Sequence, residues 1–143
     1  VAAAVDVPVD ATGESGTTAF EQNLDDDALA AAFERDGAVV VRNAFSAHWL
    51  DVMSRGVEAN LASPSPYAND NVANSPTETA GKFFDDYVSW RRIPEFTFLV
   101  LESPAAEIAA RAMASGTAQF FHDHVLVKEP GTTMPTPWHQ DAP

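Results

Sequence analysis

Apolar residues recur at helical spacing from Leu24, through Ala28, Leu29, Ala32 and Phe33, and predict a first helix. Asp25, Asp26 and Asp27 fall in its first turn, where the helix dipole favours negative charge. Gly37 stands where a left-handed residue ends a helix. The run Ala38 to Arg42, with three valines at its centre, predicts a strand. Ser46 is placed to cap a second helix reaching about Leu61, with Trp49, Leu50, Met53, Val57 and Leu61 as its apolar stripe. Residues 62–80 hold Pro64, Pro66 and Pro76 among Asn, Ser and Asp, and predict a long loop of the kind that can act as a lid.

The second half is less regular. Gly81 to Trp90 fits a strand or a short helix. Its aromatics Phe83, Phe84, Tyr87 and Trp90 suggest core, with a pocket wall as the alternative. A helix begins at Pro94. Another takes Ser103 as N-cap and Pro104 as its first residue and stops at Gly116. Gln119 to Lys128 predicts a strand. Residues 1–23, dominated by Ala, Gly, Ser, Thr and Asp without an apolar period, predict a flexible tail, which leaves 24–143 as the structured domain. No internal repeat is visible.

Charge narrows the function. The formal net charge is −13, which argues against nucleic-acid backbones and anionic membranes, both of which need clustered Lys and Arg. The two lysines are Lys82 and Lys128. The absence of cysteine excludes disulfides and thiolate metal sites, and is compatible with a cytoplasmic location. No apolar run reaches the ~18 residues of a membrane helix. The apolar stretch Val1 to Val9 is interrupted by Asp6 and Pro8, and no basic segment precedes it, so it makes a poor signal peptide.

The candidate chemistry lies at the C-terminal end, in Trp138-His139-Gln140-Asp141. In extended chain, residues i and i+2 project to one side, so His139 and Asp141 can grip one metal ion with one nitrogen and one oxygen. Pro135 and Pro137 enforce extended backbone on the residues before them. Trp138 is expected to pack as a buried aromatic beside the ligand and is a candidate substrate contact. On the strand, Phe121, Asp123, Val125 and Val127 share one face, and His122, His124, Leu126 and Lys128 the other. Asp123 among apolar neighbours needs a partner, whether a substrate group, an Arg or backbone.

The run Phe121 to Thr132 followed by Pro135-Thr136-Pro137-Trp138-His139-Gln140-Asp141 resembles the phytanoyl-CoA dioxygenase family. Phe33 to Asn43, Ile93 to Phe96 and Ser103 to Ala109 resemble its upstream helices and first strand, so that the likeness spans roughly residues 24 to 143. It implies an α+β architecture, with N-terminal helices packed on part of a double-stranded β-helix, the jelly-roll or cupin-like barrel. It also implies a non-haem Fe(II) enzyme using 2-oxoglutarate and O₂ on a small molecule, with His139 and Asp141 as two of three iron ligands. Asp141 favours hydroxylation, because related halogenases leave that position without a carboxylate. Lys128 is a candidate partner for a 2-oxoglutarate carboxylate.

In the family a second His and an Arg for 2-oxoglutarate lie farther along the chain; Arg91 and Arg92 are poor substitutes. The barrel also needs eight strands. The expectation is therefore an N-terminal portion of the enzyme, incomplete before the second His and inactive alone. The rival readings are a cupin-like metalloprotein using His122, His124 and His139 without 2-oxoglutarate, and a metal-free β-helix binding module.

Overall fold

The computed structural model describes residues 3–5, 25–72, 81–136, 138 and 139. The described elements run β1 (Ala3–Val5), α1 (Asp26–Asp36), β2 (Val39–Val41), α2 (Ala47–Ala62), β3 (Asn69–Asp70), β4 (Phe83–Tyr87), α3 (Pro94–Glu102), α4 (Ala105–Ala112) and β5 (His124–Lys128). β1 and β2 pair in parallel. β3, β4 and β5 form an antiparallel sheet in that order. The architecture is a mixture of helices and small sheets. The tail expected over residues 1–23 contributes β1, and its remainder lies outside the described residues.

Local chemistry accounts for α1. Asp25 accepts a hydrogen bond from the Ala28 amide at 3.0 Å and caps the first turn. Gly37 closes the helix at φ 70°, with its N–H on the Phe33 carbonyl at 2.8 Å. Leu29 and Ala32 are buried, and Leu29 forms a small core with Ala112 of α4, against which Phe33, Val39 and Val41 pack. Arg111 donates to Asp26 at 2.5 Å and ties α4 to α1.

Helix α2 departs from its expected stripe. Its buried positions are Trp49, Val52, Gly56 and Asn60, while Leu50 is exposed and Met53, Val57 and Leu61 are half-buried. The face turns because Gly56 has no side chain: a Cβ there would collide with the Phe96 ring of α3. Backbone therefore meets aromatic ring, and Asn60 is carried inward to a polar partner. Ser46 precedes the helix in extended conformation without a side-chain capping bond.

Three boundaries also differ. The last helix ends at Ala112 rather than Gly116, because Ala114 takes φ 49° and breaks the helical run. Its cap is Pro104, with the Ser103 hydroxyl accepting from the Ala105 amide at 3.3 Å. The strand expected from Gln119 is regular only from His124. Its partner β4 ends at Tyr87, opposite His124, so residues before His124 have no ladder to join. The stretch 81–90, open between strand and helix on sequence, contains β4.

Candidate functional site

The β4–β5 pair organises the polar chemistry. The register sets Phe84 against Val127 and Asp86 against Val125, with Phe83, Asp85 and Tyr87 opposite Lys128, Leu126 and His124. Alternation therefore sends the adjacent carboxylates Asp85 and Asp86 to opposite faces.

Asp86 is fully buried at 0% exposure. It accepts from Asn60 Nδ2 at 3.1 Å, from the Ser65 amide at 2.8 Å, from the Tyr87 amide at 2.8 Å and from the Ser65 hydroxyl. The Arg92 guanidinium stands 3.6 Å away. Burial pushes this carboxyl up, but the hydrogen bonds from Ser65, Tyr87 and Asn60 outweigh it and hold it below the ordinary carboxylate value. The network joins the end of α2, the loop at 63–65, β4 and the segment leading into α3.

Asp123 has its partner in backbone. Its two oxygens accept the N–H groups of Ser89 and Trp90, each at 3.0 Å, and its carbonyl accepts from Val88 at 3.1 Å. Val88 is held at φ 54°, an uncommon conformation for a β-branched residue. Three successive amides thus point at one residue, and Asp123 compensates the local strain.

The opposite face carries Tyr87 and His124, stacked at 4.0 Å with planes 19° apart. Asp85 lies beside them, accepting from Asn71 Nδ2 at 2.6 Å and facing His124 Nε2 at 3.8 Å. The Tyr87 phenol is pushed above its ordinary value by burial first, then by the neighbouring charge of Asp85 and a hydrogen bond to it. His122 is exposed and makes an edge contact with Phe121 at 4.7 Å.

Beyond β5 the chain turns at Pro130 and Gly131 and packs on Gly81, where a Cβ would lie 2.8 Å from the Thr132 amide. Lys128 stands 5.1 Å from the centre of the Phe83 ring and donates to the Met134 carbonyl, which draws the following segment back over the sheet. His139 lies farther along this segment, in irregular backbone, and is exposed. Trp138, expected to be buried, is fully exposed: no described strand or helix forms in this segment, and no packed face covers the indole. Asp141 lies outside the described residues. Among the described residues no group of three or more His, Cys, Asp or Glu is arranged to hold a metal. No helix among them is long and apolar enough to cross a membrane.

The sequence motif decides where the geometry is incomplete. The profile of the phytanoyl-CoA dioxygenase (PhyH) family matches residues 33–143. The chain belongs to the phytanoyl-CoA dioxygenase family. The match runs from the last turn of α1 through β5 to His139-Gln140-Asp141, and so includes every element of the three-stranded sheet. No curated protein and no solved structure matches the chain. Sequence reasoning missed Asp85, Asp86 and Asn60. The signal available was a pair of acids within an aromatic strand, Phe83-Phe84-Asp85-Asp86-Tyr87, where alternation buries one acid on each face.

Proposed function

We propose that this protein is a non-haem Fe(II)- and 2-oxoglutarate-dependent dioxygenase that hydroxylates a small organic substrate, with His139 and Asp141 as two of the three protein ligands to iron. The observation that carries this is the family match through residue 143, which includes the His-x-Asp pair. An imidazole and a carboxylate suit Fe(II) in donor type, and a second His completes the facial set. When bound, iron and 2-oxoglutarate supply the oxidising chemistry.

The chain supplies position. Asp123 pins the approach to β5 against the 88–90 turn, and Lys128 tethers the segment that leads to His139. The three-stranded sheet is one wall of the jelly-roll barrel. Lys128, at the end of β5, is a cation on this wall suited to a 2-oxoglutarate carboxylate. Asp141 provides the carboxylate that distinguishes a hydroxylase from a halogenase.

The test is succinate formation from 2-oxoglutarate by the full-length enzyme, with and without Fe(II). Iron-dependent release supports the assignment. Its absence, with a folded protein and saturating iron, contradicts it.

A further inference from the structure

Two consecutive carboxylates of β4 are buried, and one of them lacks a cation. Asp86 has Arg92 at 3.6 Å. Asp85, only 8% exposed, pairs with no Lys or Arg among the described residues. The Asn71 and Asn69 amides both approach its Oδ1, at 2.6 and 3.5 Å. Its Oδ2 faces His124 Nε2 at 3.8 Å, longer than a hydrogen bond. Lys128, on the same face, is engaged by the Met134 carbonyl and the Phe83 ring. The Tyr87 phenol also hydrogen-bonds to Asp85. A largely buried carboxylate held by neutral donors alone is costly unless a positive group completes it.

The surroundings suit a positive group. The stacked Tyr87 and His124 rings stand beside the carboxylate and offer aromatic surface to a cation and its adjacent carbons. A net charge of −13 raises the local concentration of small cations. The same face runs toward the segment that bears His139, because Lys128 holds Met134 over its Phe83 end.

We propose that Asp85 determines specificity for a substrate carrying an ammonium or guanidinium group, seated on Asp85 Oδ2 with its carbon chain against Tyr87 and His124. The proposal rests on the oxygenase reading for the reaction, though not for the binding. A hydroxylated neutral substrate is the competing outcome, since Asp85 also accepts from hydroxyl groups.

The experiment is an NMR titration of the full-length protein with n-butylammonium and n-butylguanidinium, with n-butanol as neutral control. The side-chain amides of Asn69 and Asn71 and the His124 ring are followed. The expected result is saturable shifts at these groups with the cations and none with butanol. Asp85→Asn should weaken cation binding by about 10-fold or more, and Tyr87→Leu by about 2- to 5-fold. Equal binding of butanol, unchanged cation affinity in Asp85→Asn, or shifts confined to other regions would overturn the proposal. If Asp85→Asn does not fold, the contrast between cation and butanol in the parent protein decides. Succinate formation without any cation response defeats this site and leaves the oxygenase standing. A cation response without succinate formation does the reverse.

Discussion

Asp85 and Asp86 are adjacent in sequence and occupy opposite faces of one strand, the first among neutral amides and aromatic rings, the second against Arg92. Their different settings separate a structural carboxylate from one available to a ligand.

The structural one predicts acid sensitivity. The Asp86 carboxyl is held below its ordinary value in the folded protein. The unfolded chain therefore binds the additional proton at mildly acidic pH, and stability rises with pH across that window. The contribution is fully present above about pH 4, the unfolded value, and is lost as pH falls toward and through the folded value. Asp86→Ala should lower stability by about 3 kcal/mol or more at neutral pH, because Arg92 and Asn60 lose their buried partner. It should also flatten the acid limb. Urea unfolding of both proteins at several pH values checks this; an unchanged pH slope would refute it.

Gly56 makes a packing prediction. A Cβ at this position collides with Phe96, so Gly56→Ala should cost about 1–3 kcal/mol. Gly116→Ala is the control, since nothing lies within 4 Å of its added carbon. Thermal unfolding should separate the two variants clearly, despite the higher helix propensity of Ala.

Asp123 makes a dynamic one. Its carboxylate satisfies the Ser89 and Trp90 amides beside the strained Val88. Asp123→Ala should lower their hydrogen-exchange protection selectively, leaving the amides of α2 unchanged. Equal protection in both proteins would show that the turn holds itself.

The sequence made some features legible and hid others for physical reasons. Helix α1 is legible in its apolar period and terminal glycine, since Leu29 and Gly37 each act within a turn of their position; Asp25, expected in the first turn, instead caps the helix from the residue before it. The rotated face of α2 was not, because it depends on Phe96, forty residues away, meeting a glycine. The alternation of β5 was readable, while its late start was not, because ladder length is set by the partner strand ending at Tyr87. At the site, the His139-x-Asp141 spacing reads as a metal motif on sequence, and Asp141 lies outside the described residues. The partner of Asp123 is not legible in the sequence, since the turn that meets it lies more than thirty residues upstream. Trp138 next to His139 suggested burial, but adjacency in sequence does not supply a packing face.

The central claim is that His139 and Asp141 hold the catalytic iron. The most direct measurement is iron-dependent succinate formation by full-length His139→Ala, Asp141→Ala and Gln140→Ala proteins under saturating Fe(II) and 2-oxoglutarate. Removing either ligand should abolish turnover, whereas changing the intervening Gln140 should cost at most about 10–100-fold. Near-normal turnover in Asp141→Ala would contradict the assignment.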